Sequence, residues 1–320
     1  MRRFLTAFLV LSMALMAVGG GIGVAEEART IGYIMGGPEL WQQTQMEAAQ
    51  HACATVGYDF VSLNSDYTAE KELSNAEDLI SKGVDAIIMF TVNSETGQQV
   101  AQMCNEADIP LFLLDGAIAE GPGKAVTTVA FDFSEIGRAV GEYISVAHPG
   151  ENAIYITGLV GAGIVEAYVE GLYGALSNGV EIVAQQAADW DRAKAMAVAE
   201  DIIASGAEFT VAFVNNEDMA SGVILVLEEN GLSDSVAVVA TGGSDDGIRM
   251  IQEGKLAATI AASPAYESAV VVRAIVDYFA GVPVPEHIVT PVMTITADNL
   301  DDAVSFAIND NILKLTGLME

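Results

Sequence analysis

The chain has 320 residues, 52% hydrophobic and 18% charged, too apolar for a disordered protein and long enough for two domains with their own cores. Its 13 Lys and Arg stand against 44 Asp and Glu, a net charge of −31, which repels phosphate backbones and anionic lipid and removes nucleic acid as a partner. Two Cys and three His form no zinc spacing, and neither a Walker-type loop nor an HExxH helix occurs, so no metal, cofactor or catalytic residue is expected.

Arg2 and Arg3 precede an apolar run from Phe4 to Val18, the length of a signal-peptide core and short of the roughly 20 residues that span a bilayer. Gly23 and Ala25 place small side chains at the −3 and −1 positions for cleavage after Ala25. Residues 1–25 are therefore predicted to be a signal peptide that sends a soluble protein to the periplasm, with no stable membrane insertion after cleavage.

Short apolar runs then alternate with amphipathic stretches. Strands are predicted at Ile31–Met35, Phe60–Asn64, Ala86–Phe90, Leu111–Asp115 and Val126–Phe131. A second series falls near Ala153–Thr157, Val180–Gln185, Phe209–Val214, Val236–Thr241 and Ala258–Ala262. Near-continuous apolar strands separated by helices read as parallel sheets covered on both faces, hence an α/β chain of two doubly wound lobes. Cys53 and Cys104 fall on the apolar faces of two predicted helices. If those helices cover opposite faces of one sheet, the thiols stay free and buried.

The segment from Asp78 through Gly83 and Phe90 to Asn93 overlays Asp201 through Gly206 and Phe213 to Asn216 at a constant offset, which predicts an internal duplication. No long linker separates the halves. Crossings between lobes are expected at Phe131–Phe133, Ala261–Pro264 and Pro285–Pro291, the last followed by a strand at Val292–Ile295 and a terminal helix. The boundaries drawn are 26–131 plus 263–290 for the N-terminal lobe, and 132–262 plus 291–320 for the C-terminal lobe. Several parallel crossings make a hinge, with a cleft at the carboxyl ends of both sheets.

Lys71–Met89 (KELSNAEDLISKGVDAIIM), Ile109–Gly116 (IPLFLLDG), Ala187–Met196 (AADWDRAKAM), Ala212–Gly222 (AFVNNEDMASG) and Asp246–Ala261 (DGIRMIQEGKLAATIA), taken in order, resemble the type I periplasmic sugar-binding proteins, the ribose- and galactose-binding group. The resemblance covers essentially the whole mature chain. It implies capture of a small-molecule ligand in an interlobe cleft and delivery to an ABC transporter permease, with a chemoreceptor as a second partner and no catalysis.

Carried over residue by residue, the resemblance matches Trp41 and Trp190 to ligand-stacking aromatics, Asp115 to the acid that ends the fourth strand, and Asn216 to an Asn that opens a second-lobe helix. Four family positions depart: two Arg are replaced by Gly116 and Glu166, a late Asp by Gly242, and a hinge Gln by Ala262. The residues support the same site on their own chemistry. The only two Trp fall at strand-to-helix junctions and offer flat faces to a ring. Asp115 emerges at a sheet edge as a charged acceptor, and Asn216 both donates and accepts. The competing structural roles are a core position for Trp41 and helix capping for Asp115 and Asn216.

The candidate ligand set is thus Trp41, Asp115, Glu166, Trp190 and Asn216. Losing the forked Arg donors argues against ribose itself and leaves an acceptor-rich pocket for a neutral sugar or polyol. A nucleoside or cationic amine is the alternative ligand, and a chemoreceptor-only sensor the alternative role. Gly158–Gly163 (GLVGAG) lacks the dinucleotide order, and its glycines are expected to bring backbone N–H groups toward an uncharged ligand. The acidic surface predicts a soluble monomer.

Overall fold

A computed structural model describes residues 28–161 and 163–320; the predicted signal peptide lies outside the described residues. The first lobe is built from β1 (Thr30–Met35), α1 (Leu40–Thr55), β2 (Asp59–Asn64), α2 (Ala69–Lys82), β3 (Ala86–Met89), α3 (Ser94–Glu106), β4 (Leu111–Leu114) and β5 (Thr127–Phe131). The second comprises α4 (Phe133–Ala147), β6 (Asn152–Thr157), α5 (Ile164–Ala175), β7 (Glu181–Ala187), α6 (Arg192–Ala204), β8 (Val211–Val214), α7 (Glu217–Glu229), β9 (Ala237–Gly242), α8 (Asp245–Gln252) and β10 (Ala258–Ala261). Then come α9 (Pro264–Phe279), β11 (His287–Thr290), β12 (Met293–Ile295), a 3-10 turn at Leu300–Asp302 and α10 (Asp310–Leu315).

The strand orders are β11-β5-β4-β3-β1-β2 in one sheet and β12-β10-β9-β8-β6-β7 in the other. The five consecutive strands of each lobe therefore follow one order, with the switch point beside the lobe's first strand, where doubly wound sheets open a crevice. All pairings are parallel except β10 with β12. The central strands AIIM, LFLL, VAFV and ATIA are buried at every position, as helices on both faces require.

The duplication is visible in local geometry. Gly83 and Gly206 both adopt left-handed φ, +70° and +78°, where α2 and α6 end. Asn93 and Asn216 each cap the following helix, accepting from the amides of Thr96 and Met219 at 2.9 and 2.8 Å. Cys53 packs in the core that α1 and α9 share, Cys104 in the core under α2 and α3. Both thiols are free and buried, on opposite faces of one sheet.

The chain leaves the first sheet at Phe131, returns after Ala261, and runs from β11 in the first sheet into β12 in the second. One sequence expectation is corrected beyond this point. Leu300 and Ala303 pack on the second lobe's core, but Ile312 joins Ala48, Ala265 and Ala269 of the first lobe, and Leu313 its main core. The terminal helix thus belongs to the first lobe, not to the second as the 291–320 assignment has it. Its apolar face covers small residues of α1 and α9, Ala48, Ala265 and Ala269. The chain therefore crosses a fourth time near residues 303–306, where the Ser263 hydroxyl of the second crossing donates to the Ser305 carbonyl at 2.6 Å.

Candidate ligand-binding cleft

A cleft opens between the carboxyl ends of the two sheets. Trp41, Asp115, Trp190 and Asn216 all line it. Glu166 does not: its carboxylate turns back along the glycine loop and accepts from the Gly161 amide at 2.9 Å. No basic side chain lines the cleft among the described residues to draw it inward.

Trp41 is the second residue of α1. Its indole meets the rings of Phe131 and Phe306 edge-on, each at 5.7 Å between centroids, and its Nε1 donates a long 3.4 Å hydrogen bond to Asp115 Oδ2. The same carboxylate oxygen accepts from Gln45 Nε2 at 2.9 Å. Asp115 stands at φ +58°, a left-handed conformation rare outside Gly, Asn and Asp. Burial raises its carboxyl above the ordinary Asp range, against the hydrogen bonds from Glu267, Gln45 and Trp41.

On the opposing wall Trp190 occupies the turn between β7 and α6, at φ +62°. For a bulky aromatic this is a true outlier, and such strain persists only where surroundings impose it. Its seat is Gly158, where a β-carbon would come within 2.2 Å of the indole. The glycine loop therefore admits an aromatic ring, a role the sequence reading assigns instead to backbone N–H groups. Gly37 likewise makes room for the Tyr67 ring, whose hydroxyl donates to Glu39.

Asn216 both caps α7 and lines the cleft, so the capping role and the place in the cleft coincide. Its neighbour Asn215 goes unnoticed in the sequence. Asn215 Oδ1 accepts from Tyr155 Oη and the Gly158 amide, both at 2.9 Å, while its buried Nδ2 has no partner and the residue lines the cleft. Gly242, which stands at a departed family position, makes way for Glu217. That buried carboxylate accepts from the Gly243 and Ser244 amides at 2.7 and 2.8 Å and from Thr259 Oγ1 at 2.7 Å, and a β-carbon at Gly242 would stand 2.7 Å from it.

The sequence profile of the family described as "periplasmic binding protein domain" matches residues 31–282. The chain belongs to this family. Over 220 residues, 68% of this chain and 73% of the relative, it is 32% identical to the ribose import binding protein of Escherichia coli (strain K12). It is 25% identical to the galactofuranose-binding protein of the same strain, over 73% of this chain and 77% of the relative. A solved Mycobacterium smegmatis structure in complex with beta-D-fucofuranose superposes with a TM-score of 0.80 and 25% identity, covering 91% of this chain and 98% of that one. The family is one of binding proteins rather than enzymes, and the ribose relative is named as an import binding protein.

Proposed function

We propose that the protein captures a neutral sugar or polyol, other than ribose itself, between its lobes and delivers it to the permease of an ABC importer. The observation that carries this reading is the composition of the cleft wall. Seven aromatic rings, those of Trp41, Tyr67, Phe90, Phe131, Phe133, Tyr168 and Trp190, surround the carboxylates of Glu39 and Asp115 and the side-chain amides of Gln42, Asn215 and Asn216, with no Lys, Arg or His among the described lining residues. Aromatic faces stack on sugar rings, and Asp115, Asn215 and Asn216 accept from or donate to hydroxyls. The named relatives that bind ribose and galactofuranose support the ligand class.

The residues 1–25 pattern supports export to the periplasm, and the net charge of −31 supports a soluble monomer there. A chemoreceptor is a second partner for the closed form. The rings and carboxylates without a competing cation also favour a nucleoside or amine as the second reading.

Thermal-shift measurements with neutral sugars, polyols, nucleosides, amines and sugar acids separate these. Stabilisation is expected from neutral sugars or polyols. Stabilisation mainly by sugar acids would overturn the reading, because Asp115 would face a second anion in a desolvated cleft.

A further inference from the structure

Beneath the cleft, two carboxyls meet from distant parts of the chain. Asp115 follows β4, and Glu267 lies in the first turn of α9, just past the second crossing. Glu267 is fully enclosed, whereas Asp115 is 9% exposed and lines the cleft. One amide nitrogen, Gln45 Nε2, donates to an oxygen of each, to Asp115 at 2.9 Å and to Glu267 at 2.6 Å. Gln45 is itself fixed, its Oε1 accepting from Gln42 Nε2 at 3.2 Å while Gln42 Oε1 accepts from the Gly36 amide at 3.1 Å. The remaining oxygens, Asp115 Oδ1 and Glu267 Oε1, are buried without a hydrogen bond of ordinary geometry, the Phe131 amide being the one backbone donor directed at Asp115.

Buried acceptors are ordinarily satisfied, and adjacent buried carboxylates do not both ionise without a counter-charge. None is at hand. The titratable groups that face the pair are Tyr33 from β1, Glu39 at the head of α1 and Tyr168 from α5, all neutral or acidic. The next charged side chain along α9, Arg273, is engaged by Asp277 and the Gly317 carbonyl. One proton shared by the two carboxyls would serve both orphaned oxygens.

We propose that Asp115 and Glu267 hold one proton between them, and that Glu267, acting with Gln45, is a positioning residue that keeps Asp115 an ionised acceptor at the floor of the cleft. The proton resides chiefly on Glu267, the more enclosed of the two, whose carboxyl burial and the neighbouring Asp115 push well above the ordinary Glu range. Asp115 keeps the negative charge because it receives the N–H groups of Gln45 and Trp41. The pair thus presents one unit of charge, and its proton state is felt at the Trp41 indole. Loss of the proton would set two anions against each other and release Asp115 from this geometry. The functional meaning rests on Asp115 contacting ligand; the test needs no ligand, so the two ideas can fail separately.

The full chain carrying Trp190→Phe leaves Trp41 as its one tryptophan. Its emission is expected to titrate over a pH range that lies above the ordinary Glu range, in step with an infrared band of a protonated carboxylic acid. Glu267→Gln, which keeps a hydrogen-bond donor but cannot ionise, should remove the component of the band that titrates in step with Trp41 and the Trp41 titration itself, while the bands of Glu39, Glu72 and Glu217 and the neutral-pH emission stay in place. A titration unchanged by Glu267→Gln would overturn the proposal. Should that variant fail to fold, the Trp190→Phe protein decides alone: Trp41 emission flat across the range contradicts the shared proton, and a titration matching the acid band supports it.

Discussion

The indole of Trp190 rests on the α-carbon of Gly158, so closely that a β-carbon there would stand 2.2 Å from Cε2 and Cζ2 of the ring. The strained backbone of Trp190 and the bare backbone of Gly158 are two halves of one device that presents an aromatic face to the cleft. Gly158→Ala is therefore expected to displace the indole and to cost about 1–3 kcal/mol through overpacking. Urea denaturation reads the stability. Tryptophan emission of the ligand-free protein reads the displacement, and wild-type values in both would separate the two residues.

Stability is expected to fall as pH rises. Glu39, Glu72, Asp115, Glu217 and Glu267 are all raised above their ordinary range by burial, Glu72 from 4.5 to about 7. A raised carboxyl holds its proton in the folded state after the unfolded chain has released it, so between about pH 4.5 and about pH 7 the folded state binds more protons and loses stability as pH climbs. For Glu72 alone, enclosed while accepting from Thr91 Oγ1 at 2.9 Å, the change is on the order of 3 kcal/mol. Denaturation midpoints should be higher near pH 5 than near pH 8, and Glu72→Gln should flatten the profile. Midpoints that rise with pH would contradict the assignment.

Cys53 and Cys104, each pushed up to about 12 by burial, should resist thiol reagents in the native state and react together on unfolding. Because they lie on opposite faces of the first sheet, a reducing agent should leave the melting temperature unchanged. A drop on reduction would reveal a bridge that this topology forbids.

Much of this was legible in the sequence because the signals are local. The runs that became β3, β4 and β8 are apolar throughout, and the Asp-to-Gly-to-Asn spacing exposed the repeated unit. Trp41, Trp190 and Asn216 were legible because each sits where a strand gives way to a helix, and Asp115 because it ends the apolar run of β4. Gln45 and Glu267 were not. Their significance lies in Gln45 meeting Asp115 across 70 residues and Glu267 across 222, and a Gln inside a helix looks like any surface position. Glu267 did leave a trace, a lone acid just before the apolar run Ala269–Val272. The terminal helix was misplaced because an amphipathic segment shows which face is apolar but not which core it meets.

Hinge closure follows from a ligand that bridges Trp41 and Asp115 on one wall and Trp190 and Asn216 on the other, since such a ligand favours the closed state over the open one. Small-angle scattering with the stabilising sugar or polyol at saturation should give a smaller radius of gyration than the free protein. An unchanged profile would remove the two-wall mechanism.

Whether the cleft retains an intact neutral ligand is tested most directly by native mass spectrometry of the wild-type chain and Trp190→Ala with the same compounds. Wild type is expected to carry one unmodified neutral sugar or polyol, and Trp190→Ala to bind it more weakly by about 1 kcal/mol or more while keeping its folded charge-state distribution. A chemically converted product, a retained sugar acid, or an adduct undiminished by Trp190→Ala would contradict capture in this cleft.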